Sequence, residues 1–63
     1  MRVETRIARI VGNREASIRL KVLQLQTLAL RCMASSPEQR GVIAVYQGLM
    51  EAHGLTLAEV NRF

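Results

Sequence analysis

Sixty-three residues make one small domain, and a chain of that size hides only about 60% of its unfolded surface. One cysteine and one histidine leave neither an internal disulfide nor a structural zinc site to staple it. The net charge is +4, and all of it sits in residues 1–21, where Arg2, Arg6, Arg9, Arg14, Arg19 and Lys21 face only Glu4 and Glu15. The remaining residues balance Arg31, Arg40 and Arg62 against Glu38, Glu51 and Glu59.

Hydrophobic residues make up 49% of the chain, yet only Tyr46 and Phe63 are aromatic. The interior must therefore be aliphatic, which suits helix-on-helix packing. So much aliphatic surface on so short a chain points to association, with a homodimer as the expected state. No run of about 18 uninterrupted apolar residues is present, since Arg19, Lys21, Gln24, Gln26 and Arg31 break the best stretch. The first twelve residues, MRVETRIARIVG, lack the apolar region of a secretory signal. With a single thiol, they lead us to expect a cytoplasmic protein.

The basic N-terminal segment, residues 1–13, fits two structures over residues 2–11. As a helix it places Val3, Ile7, Ile10 and Val11 on one face and Arg2, Arg6 and Arg9 on a neighbouring one. As a strand it alternates Val3, Thr5 and Ile7, and Gly12-Asn13 turns the chain so that Ile7 meets Ile18 and Val3 meets Val22. The helix is the preferred reading.

Residues 14–34 read as the longest helix, with Asn13 as its cap and Glu15 in its first turn. One face collects Ile18, Val22, Leu25, Ala29 and Cys32, with Leu28 and Met33 at its edges. A second set, Leu20, Leu23 and Leu30, points elsewhere, and a helix apolar on two sides is usually buried on two sides.

The stretch SSPEQRG predicts a helix start. Ser36 caps, Pro37 takes the first position, and Gln39 completes a capping box back to Ser36. That helix runs over residues 37–53 and stops at Gly54. Val42, Val45, Tyr46, Leu49 and His53 form its stripe, widened by Ile43 and Met50. Beside the stripe runs a row of small residues, Gly41, Ala44, Gly48 and Ala52, expected to mark a tight helix contact within the hairpin or across a dimer. A second capping box, Thr56 with Glu59, opens a short helix over residues 57–63, with Leu57, Val60 and Phe63 turned inward. The expected fold is all-α: an antiparallel helical hairpin with a short C-terminal helix, dimeric, and residues 2–11 helix or strand.

Residues 51–63, EAHGLTLAEVNRF, bend sharply at Gly54 between apolar residues on either side. This corner resembles helix-turn-helix proteins over about 18 residues, and the resemblance implies a DNA-reading helix offering Thr56, Ala58, Glu59, Asn61 and Arg62. Met50 is bulkier than the small residue that family places four before the glycine, and the last helix is short. A capped corner folding the last helix back is the preferred reading. Were residues 2–11 a strand, the layout would be similar to ribbon-helix-helix repressors, from which the long first helix and the Gly-Asn break depart.

The basic third is the stronger nucleic-acid candidate: Arg2, Arg6, Arg9, Arg14, Arg19 and Lys21 would contact the phosphate backbone of DNA or RNA with little base readout. The expected class is a small regulatory protein that acts by binding, of the accessory type that phages, plasmids and operons encode. The alternative is an adaptor or inhibitor that buries an apolar face on a larger protein target. Leu20, Leu23 and Leu30, with the row Gly41, Ala44, Gly48 and Ala52, are the expected oligomer or partner interface. Cys32 and His53 fall on apolar stripes, the glycines have no phosphate-loop spacing, and no paired carboxylates are visible. No catalysis, cofactor, metal or small-molecule substrate is expected. An amphipathic Arg-rich start could lie on anionic lipid, but it lacks Trp or Phe, so a membrane partner is not expected.

Overall fold

The computed structural model describes residues 2–62. Every regular element among them is helical: α1 (Val3–Gly12), α2 (Ile18–Arg31), α3 (Pro37–Ala52) and α4 (Leu57–Val60). The strand alternative for residues 2–11 is not adopted. Alternation was available there, but a half-buried strand needs an edge to pair with, whereas a helix gathers Val3, Ile7 and Ile10 onto a single stripe. All three are half-buried against the core.

The α2 helix starts later than Asn13 would have it. The Asn13 side chain instead accepts the Glu15 N–H at 3.1 Å, and the Asn13 carbonyl accepts the Ala16 N–H at 3.4 Å. Asparagine has formed a local turn, a competing use of the same oxygen. Ser17 then caps α2 by accepting the Leu20 N–H at 3.1 Å. Glu15 thus lies in the connection rather than in a first helical turn.

The other end of α2 stops at Arg31, short of residue 34. Pro37 restricts the residue before it to extended backbone, and Ser36 has ψ 158°. Ser35 takes the left-handed region at φ 60°. Ser36 caps α3 by accepting the Gln39 N–H at 3.1 Å. The return bond differs from the expected box: Gln39 Oε1 accepts the Ser35 N–H at 2.8 Å, because the Ser36 N–H already donates to the Met33 carbonyl. The Gln39 amide also donates to the Ala29 carbonyl at 3.1 Å. One side chain therefore joins the end of α2 to the start of α3.

The α3 helix ends at Ala52, with His53 as an exposed cap. The Leu55 N–H donates to the Met50 carbonyl at 2.9 Å and the Gly54 N–H to the Glu51 carbonyl at 3.3 Å. That pair of bonds is the Schellman pattern, and it requires the positive φ that Gly54 supplies at 64°. The α4 helix is a single turn capped by Thr56, whose hydroxyl accepts the Glu59 N–H and donates to the Glu59 carboxylate. Phe63 lies outside the described residues.

Two clusters form the interior. Leu25, Leu28, Ala29 and Val42 make the first, with Val3, Ile7, Ile10, Cys32, Ile43, Val45, Tyr46 and Leu49 against it. Val22, Met50 and Val60 make the second, joined by Ile18, Leu23, Tyr46, Leu49 and Leu55. The expected α2 and α3 stripes supply these clusters, except that His53 at the end of α3 and Met33 beyond α2 are exposed and belong to neither. Leu57, however, is 53% exposed rather than turned inward, since Leu55 and Val60 already fill the space beneath α4.

Of the two contacts expected for the small-residue row, the one within the hairpin is not made. Gly41, Ala44, Gly48 and Ala52 are all exposed, and a methyl group at Gly41 or Gly48 would meet nothing within 4 Å. Among the described residues no other element approaches Gly41 or Gly48, because α2 packs on the Val42–Leu49 face instead. Replacing either glycine with alanine should therefore stabilise the monomeric fold by about 0.5–1 kcal/mol. Urea titration checks this, and a loss of stability would mean that another chain covers the row.

Gln26 interrupts the apolar stretch of α2. It is half-buried, and its side-chain nitrogen is buried without a hydrogen-bond partner. An unmet buried donor costs about 1–3 kcal/mol. Gln26→Met should raise Tm, and an unchanged or lowered Tm would contradict the packing described for α2.

Candidate functional site

The six cations assigned to nucleic acid fall into two groups. Arg2, Arg6 and Arg9 are exposed along α1. At 100° per residue Arg6 and Arg9 lie on one flank of that helix, beside the Val3–Ile7–Ile10 stripe, with Arg2 preceding them as the N-cap, while Glu4 lies on the other flank. The docking of the stripe thus decides where the arginines point. Arg14 is exposed in the α1–α2 connection.

Arg19 and Lys21 have tasks inside the fold. Arg19 Nε donates to the Val60 carbonyl at 3.0 Å, which ties α4 to the start of α2. Lys21 Nζ donates to the Val11 carbonyl at 2.8 Å and so meets the negative end of α1.

Two clefts flank the α1–α2 junction. The first, of about 400 Å³, is lined by Arg6, Arg9, Ile10, Gln24, Thr27, Leu28 and Arg31. The second, of about 410 Å³, shares Arg6, Leu28 and Arg31 with it and adds Val3, Cys32, Met33, Ser36 and Glu38. Arg31 comes from outside the basic third and was missed on charge counting. Its spacing from Gln24, Thr27 and Leu28 carried the signal, since positions i, i+3, i+4 and i+7 share one helix face.

Leu20, Leu23 and Leu30, the expected oligomer or partner interface, differ in exposure. Leu23 is half-buried in the second cluster, Leu20 is 44% exposed and Leu30 is 84% exposed. Met33, expected at the edge of the buried face, is 82% exposed beyond the end of α2.

Cys32 and His53 are not brought together. Cys32 packs in the first cluster, and its Sγ donates to the Leu28 carbonyl at 3.3 Å. His53 caps α3 eleven positions beyond Val42 of that cluster, about 16 Å along the helix. Among the described residues no group of three or more His, Cys, Asp or Glu could hold a metal ion. No helix among them is long and apolar enough to cross a membrane.

The corner that resembles helix-turn-helix proteins is in place, but α4 has four residues, about 6 Å, too little to run along a major groove. No family model matches the chain, and no curated protein or solved structure matches it.

Arg19→Ala removes the side-chain bond from α2 to the Val60 carbonyl and should cost about 1 kcal/mol. An unchanged urea midpoint would contradict the assignment of Arg19 as a tether.

Proposed function

We propose that the chain is a small regulatory protein that acts by binding, contacting a nucleic-acid backbone through the cationic flank of α1. One observation supports this above the others. The apolar stripe of α1 is turned to the core, so Arg6 and Arg9 stand together on an exposed flank, preceded by Arg2 at the N-cap, with the sole acidic residue of α1 on the opposite one. A phosphate backbone meets such a flank by charge and counterion release, without base readout.

In this reading α2 and α3 form an antiparallel hairpin, and two copies associate. The chain exposes 4667 Å², against about 4,100 Å² expected for a folded monomer of its mass. The exposed Gly41–Ala52 row allows close approach of a second backbone. Two copies would double the cations facing one nucleic acid.

Binding to DNA or RNA should fall steeply as salt rises, with a log–log slope of about three per chain. Arg6→Glu with Arg9→Glu should abolish it. Retention of nucleic acid by that double variant at low salt would contradict the reading.

A second reading has its own support. Leu30 and Met33 are 84% and 82% exposed at one end of α2, a place where a larger protein could bury them. An adaptor or inhibitor of that kind would ignore nucleic acid and tolerate the arginine reversals. It would lose its target on Leu30→Glu.

A further inference from the structure

We propose that the cleft between α1 and α2 is a discrete phosphate site, in which Arg9 from α1 and Arg31 from α2 clamp an oxyanion over a floor of Ile10 and Leu28. The nucleic-acid reading above supplies one source of the phosphate, and the site itself does not depend on it.

The argument starts from how the two helices meet. The Val3–Ile7–Ile10 stripe seats α1 on Leu28 and its neighbours. On the flank beside that contact the facing side chains are long and polar: Arg6 and Arg9 on one wall, Gln24, Thr27 and Arg31 on the other. They leave about 400 Å³ between them, within the range of small-ligand sites. Among the described residues that line this space none carries a carboxylate. Arg9 and Arg31 both line this small volume, and an oxyanion between them would offset their mutual repulsion.

The donor set suits phosphate. Guanidinium groups present planar forks that bind phosphate oxygens in pairs, and two forks from different helices can grip different oxygens. The Gln24 amide adds a neutral donor. The Thr27 hydroxyl already donates to the Leu23 carbonyl at 3.1 Å, so it is left as an acceptor for a hydroxyl or amine on the ligand. Ile10 and Leu28 supply the apolar part of the lining.

Glu38 gives the site its boundary. It lines the neighbouring cleft together with Arg6 and Arg31, so an anion there meets a carboxylate of like charge. An oxyanion is therefore favoured on the Arg9 side.

The test titrates the full chain with inorganic pyrophosphate at constant ionic strength, following arginine side-chain and backbone amide resonances. Saturable shifts are expected at Arg9, Arg31 and Thr27, with none at Arg40. Arg31→Gln and Arg9→Gln should each weaken pyrophosphate by about tenfold, Glu38→Gln should tighten it, and Arg40→Gln should leave it unchanged. Circular dichroism melts check that the variants fold. Should Arg31→Gln unfold the chain, the Arg9→Gln and Glu38→Gln results decide.

Shifts that grow linearly with pyrophosphate and appear equally at Arg40 would overturn the proposal, as would indifference to Arg31→Gln in a folded chain. A parallel arm replaces pyrophosphate with a short oligonucleotide. Pyrophosphate binding without oligonucleotide binding would sustain the site, name a free phosphorylated ligand and remove the nucleic-acid reading. Oligonucleotide binding that needs Arg6 and Arg9 but not Arg31 would sustain that reading and remove the site.

Discussion

The seam between α2 and α3 is the constraint on which the other parts rest. Leu25 and Val42 are fully buried in it, Tyr46 and Leu49 bridge its two clusters, and Val22 carries it on to Met50 and Val60. No charged residue is buried there. The seam is therefore an area effect, held by aliphatic packing and made specific by shape. Gln39 fixes its register at one end by reaching from α3 to the Ala29 carbonyl. At the other end the Schellman turn at Gly54 brings Leu55 and Val60 back onto it.

The remaining elements depend on that seam without completing it. No residue of α1 is fully buried, and its hold on the core includes the half-buried stripe and the Lys21 bond to the Val11 carbonyl. A helix of ten residues has little stability of its own in water. Its conformation is borrowed from α2, and so is the direction of its arginines. Packing and charge display are linked here: the three apolar side chains that seat α1 also fix which flank carries Arg6 and Arg9.

Signals confined to a few residues were legible in the sequence. Ser36-Pro37 marked the start of α3, Gly54 marked its end, and Thr56 opened α4, since each depends on backbone geometry within one turn. The apolar stripes of α2 and α3 were legible because period and hydrophobicity agree there. Asn13 misled because its side chain can serve a turn or a cap equally well, and Ser17 lacks the Glu or Gln partner that would have advertised it. The position of the Gly41–Ala52 row depended on which face of α3 meets α2, a tertiary choice. Arg31 was hidden for the same reason: nothing local says that it will stand across from Arg9.

Native-state hydrogen exchange tests the central claim, that α1 is a cationic attachment to a seam that stands without it. Amides of residues 22–29 and 42–50 should exchange slowest, only through global unfolding, while those of α1 should exchange through a cheaper local opening. A polyanion bound to the arginines should then slow exchange in α1 alone. Equal protection of α1, α2 and α3 in the unliganded chain, falling together with denaturant, would contradict the account.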